Sequence, residues 1–109
     1  MNHGLSTTTV NKIQTVFLHY PEIEKAVLYG SRAKGNYTTG SDIDLTLMGT
    51  GLTADMQYEI FSELDDLLLP YSIDLSLYAQ LDHSALREHI ERVGVVFYAL
   101  NKEANDASH

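Results

Sequence analysis

The hydrophobic period changes several times along the chain. Val10, Ile13, Val16 and Phe17 recur at helical spacing behind Ser6 or Thr7, either of which can cap a helix, and Pro21 ends it near Tyr20. Lys25–Tyr29 (KAVLY) reads as a short strand, apolar on both sides after its first residue. Ser31–Lys34 is expected to form a short helix ended by Gly35, and Asn36–Ser41 (NYTTGS) is loop by composition. From Asp42 to about Met48 the period falls to two. Ile43, Leu45 and Leu47 form one face; Asp42, Asp44 and Thr46 form the other. Thr53 caps another helix that reaches nearly to Pro70. It carries Met56, Ile60, Phe61, Leu64, Leu67 and Leu68 on one side, with Glu59, Glu63 and Asp66 mostly opposite. Ser72–Tyr78 (SIDLSLY) repeats the strand pattern, with Ile73, Leu75 and Leu77 facing away from Asp74 and Ser76. Asp82 caps a last helix with Leu86, Ile90 and Val93 as its buried stripe, Gly94 stops it, and Val95–Leu100 is a final apolar strand or extended segment. Residues 1–4 and the polar tail 101–109 are expected to be loose. The order α-β-α-β-α-β-α-(β) predicts an α+β fold, a mixed β-sheet with helices packed on one face and the other face open.

Composition narrows the class. With 109 residues, 44% apolar, the chain is expected to form one domain over 1–109, without repeats or a linker. The net charge of −8 sets up a field that repels nucleic acid, so no direct nucleic-acid partner is expected. Cysteine is absent, which excludes disulfides, thiolate metal sites and a cysteine nucleophile. No basic segment precedes an apolar run at the N-terminus, and no apolar stretch approaches a membrane span. The expectation is a soluble cytoplasmic protein with no membrane partner.

The chemistry concentrates between Val27 and Met48. Asp42 and Asp44 stand two apart, on one face of a strand, with Ile43 turned into the core. Adjacent carboxylates repel and lose hydration, which calls for a cation. Oxygen pairs of this kind suit Mg²⁺, which takes one or two carboxylates and completes its shell with substrate phosphates. Upstream, the Gly30-Ser31 turn can offer backbone N–H groups and a hydroxyl to those phosphates. Asp74 sits in a strand of the same one-sided pattern; if the strands are neighbours, three carboxylates converge. Three carboxylates with ATP phosphates are the parts of metal-assisted phosphoryl or nucleotidyl transfer, and the third can act as general base. Against this, Asp42 could cap a turn, leaving Asp44 and Asp74 solvated. Aspartate is depleted in strands, and two strands carrying it on matching faces weaken that alternative. Arg32 either contacts a phosphate from the turn or is a solvated turn residue. Tyr37 is a loop residue that could stack on adenine or touch a partner. The five histidines show no metal-ligand spacing, and His19, His83 and His89 read as surface residues.

Gly30-Ser31, ten intervening residues, then Asp42-Ile43-Asp44 resembles the signature of the DNA-polymerase-beta-like nucleotidyltransferase superfamily. The fuller strings Gly30-Ser31-Arg32-Ala33-Lys34-Gly35 and Ser41-Asp42-Ile43-Asp44-Leu45 resemble its minimal nucleotidyltransferase branch, over nearly the whole chain. The resemblance implies that Gly30 and Ser31 hold nucleotide phosphates with Arg32 beside them. It also implies that Asp42 and Asp44 bind Mg²⁺, that Asp74 supplies the third carboxylate, and that ATP is the donor. Lys34 stands where arginine is common in the branch, which keeps the charge but loses a bidentate grip. Members of this branch resemble antitoxins that pair with a HEPN-domain ribonuclease and move AMP from ATP to a tyrosine of that partner. Three functions follow as expectations. One is adenylylation of a HEPN-domain partner within a hetero-oligomer; another is neutralisation of the partner by binding alone. The third is nucleotidyl transfer to a small molecule such as an aminoglycoside. The retained carboxylates count against the second, and the lack of an acceptor-binding domain against the third.

Overall fold

The structure is a computed structural model that describes residues 3–100. The expectation for the tail 101–109, and for residues 1 and 2, lies outside the described residues. Helix α1 (Thr7–Leu18) starts at Ser6, whose hydroxyl accepts from the Thr9 N–H at 3.1 Å. Strand β1 (Lys25–Tyr29) runs directly into α2 (Gly30–Lys34), one residue earlier than the spacing predicts. Strand β2 is Ile43–Met48, so Asp42 lies just outside the strand rather than within it. Helix α3 (Ala54–Asp65) is capped by Thr53, which accepts from the Met56 N–H at 3.2 Å. Strand β3 (Ile73–Leu77) leads through a 3₁₀ turn (Tyr78–Gln80) to α4 (Ser84–Val93) and β4 (Val95–Ala99).

The four strands are ordered β3-β2-β1-β4. β1 is antiparallel to both β2 and β4, and β2 is parallel to β3. The mixed sheet follows from the connections: α3 is the crossover that lets β3 return parallel to β2. Ile13, Val16 and Phe17 of α1 and Ile60 and Leu64 of α3 pack with Ala26, Leu28, Ile43, Leu45, Leu47, Leu75 and Leu77 in the core. The inward positions read from the alternation of β2 and β3 are therefore core positions, with Ile43 and Leu45 wholly buried.

Several details differ from the pattern reading. Helix α3 stops at Asp65, and Leu68, expected on its buried stripe, is 87% exposed with φ +55°. The α4 N-cap is His83 rather than Asp82 and makes no side-chain capping bond. Helix α4 also leaves the face that α1 and α3 occupy, with Ile90 packing on Val27 and Tyr29 across the sheet. The cause lies in β1, which is apolar on both faces and needs cover on both. The open part of the second face is thereby narrowed to β2 and β3, where the polar residues are.

Candidate active site

The register places the candidate side chains in rows. Tyr29 of β1 stands opposite Asp44 of β2, and Asp44 stands opposite Asp74 of β3. In the next row Thr46 stands opposite Ser76. Paired positions share a face, so Tyr29, Asp44 and Asp74 form one line across three strands. Asp42 precedes β2 by one residue and, like Asp74, is exposed, while Asp44 is half-buried. The carboxyl of Asp44 is pushed up to about 6, by burial first, then by the charge of Asp74, then by that of Asp42. Of the three carboxylates expected as neighbours, Asp44 thus feels the charge of the other two. Among the described residues no three His, Asp or Glu side chains are gathered tightly enough to share an ion.

Gly30 makes the turn possible in two ways. Its φ is +76°, a conformation L side chains rarely adopt, and a Cβ there would lie 2.3 Å from Oδ2 of Asp44. The backbone at the β1–α2 junction thus runs directly beside the most perturbed carboxylate. Ser31 follows, half-buried, in the first turn of α2. This cradle and the all-oxygen donor set fit a hard divalent cation with nucleotide phosphates, and a cation would offset both the burial and the neighbouring charges that raise Asp44.

Arg32 is not the solvated turn residue that one expectation made it. It is 2% exposed, and its guanidinium is turned inward onto backbone carbonyls. Nε and Nη2 donate to the Ser41 carbonyl at 3.2 and 3.0 Å, Nη1 to that of His3 at 3.0 Å, and Nη2 to that of Thr39 at 3.4 Å. It also lies over the rings of Tyr37 and Tyr71, at 5.2 and 4.8 Å from their centroids. A guanidinium committed in this way is not solvated: its donors are spent on backbone carbonyls and its plane on tyrosine rings. Tyr37 is accordingly half-buried against Arg32.

Pattern reading missed Tyr29. Its phenol is buried and titrates above its ordinary value, chiefly through burial, with a hydrogen bond to Ser76 pulling down and Asp74 and Asp44 pushing up. Ser76 Oγ in turn donates to Thr46 Oγ1 at 2.9 Å, so hydroxyls line the floor next to the carboxylates. The ring of His89 in α4 meets Tyr29 edge-on, with centroids 6.3 Å apart. The signal was the residue immediately before Gly30, on the Asp44 face once β1 and β2 are known to be antiparallel.

Comparisons with known proteins agree with this architecture. A sequence profile of the family described as polymerase beta, nucleotidyltransferase matches residues 11–103. No curated protein sequence matches the chain. Among solved structures, a chain of a toxin–antitoxin complex with AMP-PNP is similar at TM-score 0.68 and 20% identity, over 88% of this chain and 77% of that one. A chain of a complex of tri-AMPylated Shewanella oneidensis HEPN toxin with MNT antitoxin gives TM-score 0.65 and 17% identity, over 93% and 78%. A nucleotidyltransferase assigned in Sulfolobus solfataricus gives 0.52 and 16%, over 91% and 94%. At these identities the structures show a shared fold. No described helix is long and apolar enough to cross a membrane.

Proposed function

Because the chain belongs to the polymerase beta nucleotidyltransferase family, we propose that it is a Mg²⁺-dependent transferase that moves AMP from ATP to a tyrosine of a HEPN-domain toxin, as that toxin's antitoxin. The observation that carries this reading is the pairing of Asp44 with Asp74 on neighbouring strands, beside a Gly30 turn with no room for a side chain. The choice of acceptor is supported by similar folds in toxin–antitoxin complexes, one with AMP-PNP and one with an AMPylated HEPN toxin.

In this reading Asp42, Asp44 and Asp74 hold the metal, and Gly30 and Ser31 lie against the nucleotide phosphates. Mg²⁺, when bound, supplies charge neutralisation and polarises the α-phosphate. Asp74 takes the proton of the acceptor hydroxyl as its oxygen bonds to the α-phosphorus and the bond to departing pyrophosphate breaks. The exposed positions of Asp42 and Asp74 leave the acceptor side of the site open, so the partner itself must complete it.

The test is mass spectrometry of a purified HEPN-domain partner incubated with the protein, ATP and Mg²⁺. An AMP mass added to a partner tyrosine is the expected result. Tight binding with no added mass would favour neutralisation by masking, and modification of an aminoglycoside alone would favour a small-molecule transferase.

A further inference from the structure

We propose that Arg32 is the positioning residue of the carboxylate site: it grips the Ser41 carbonyl from the buried side and so sets the peptide from which Asp42 projects toward a bound divalent cation and nucleotide. The inference rests on the reading of Asp42 as a cation ligand. Two donors, Nε at 3.2 Å and Nη2 at 3.0 Å, meet on the single carbonyl of Ser41. That carbonyl shares a rigid plane with the Asp42 N–H, so fixing its direction fixes the backbone leading into Asp42. The same guanidinium reaches the carbonyls of Thr39 and His3, tying the loop to the segment before α1.

The clamp extends to the third carboxylate's strand. Arg32 lies over Tyr71, and the next residue, Ser72, accepts the Ile43 N–H at 2.9 Å, joining the starts of β2 and β3. Within the loop, the Ser41 hydroxyl accepts from the Thr38 N–H at 2.9 Å, and the Ser41 N–H donates to the Thr38 carbonyl at 3.1 Å. A buried charge is costly, and here it is met by carbonyl dipoles and tyrosine rings. Only a planar fork with five donors can serve three carbonyls at once; a lysine in its place meets one carbonyl as a point charge. Gly4 closes the arrangement from the N-terminal side. It has φ +80°, and a Cβ there would lie 2.4 Å from Cε2 of Tyr37 and 2.8 Å from Nη1 of Arg32.

Two variants of the full chain test this, Arg32→Lys, which removes the fork, and Gly4→Ala, which keeps the arginine but pushes its guanidinium off its carbonyls. Amide hydrogen exchange should quicken over residues 38–42 in both, with the 49–53 connection unchanged. Affinity for Mn²⁺ in the presence of ATP should fall about 10- to 100-fold, the usual cost of losing a group that orients a metal ligand. Exchange that quickens equally in both loops would make Arg32 a general stabiliser and overturn the proposal. So would a loosened 38–42 loop with unchanged Mn²⁺ affinity. If the parent protein itself binds no Mn²⁺ with ATP, the cation reading fails, and the exchange pattern alone decides whether Arg32 sets the Ser41–Asp42 peptide.

Discussion

Asp44 carries the electrostatic stress of the site. Its carboxyl titrates at about 6 against an ordinary 3.8, because it is partly desolvated and faces Asp74 and Asp42. Between those values the folded state holds a proton that the unfolded chain has lost, so stability falls as pH rises through that window. Asp44→Asn removes the penalty. At about pH 8 the metal-free variant should exceed the parent in urea-unfolding stability by on the order of 1 kcal/mol, after allowing for solvent screening, and the gap should close toward pH 4. A gap independent of pH would mean that Asp44 is not the stressed group. Asp74 has a different part, since in the proposed reaction it takes a proton. Asp74→Asn should still bind ATP but slow transfer by roughly 10²–10⁴-fold, or more if a metal contact is lost with it, as read by the rate of AMP incorporation. The aspartates were legible in the sequence because carboxylates seldom occupy strands. Arg32 was not, since nothing in its spacing distinguishes a solvated arginine from one folded inward onto three carbonyls.

Elements position these residues through their junctions. The β1–α2 junction turns at Gly30 so tightly that the site carboxylate and the backbone touch. Gly30→Ala should cost about 1–2 kcal/mol for its positive φ alone, seen in thermal denaturation. The clash with Asp44 should also remove binding of Mn²⁺ with ATP. Unchanged binding would show that the close approach does not matter to the site. Alternation in β2 and β3 identified the core face because strand periodicity is a direct record of which side is buried. Helix ends were less legible. The apolar run Leu67–Leu69 continues the helical pattern, yet α3 ends at Asp65 and Leu68 turns left-handed into solvent. Helix α4 was expected beside the others. The apolar second face of β1 recorded that something must cover it, but not which element.

For the whole molecule, catalysis and partner binding should be separable, because Asp42, Asp44 and Asp74 lie just before β2 and on β2 and β3, and the sheet is held by a core on its other face. An Asp42→Ala/Asp44→Ala protein should fold, bind the HEPN-domain partner in a pull-down, and fail both to adenylylate it and to protect cells from it. Protection by the transfer-dead protein would instead show that masking suffices. The net charge of −8 points the same way, toward a protein acceptor rather than a nucleic acid. By itself, the sequence determined the mixed sheet, the core faces of β2 and β3 and the placing of Asp44 and Asp74 on the opposite face. Those are properties of residue type and local period, and local period survives folding. Only the tertiary structure decided that Tyr29, Asp44 and Asp74 form one row, that α4 covers β1 on the second face, and that the Arg32 side chain turns inward onto backbone carbonyls. Those depend on which strands pair and which way a long side chain turns, and both are settled by contacts between residues far apart in the chain.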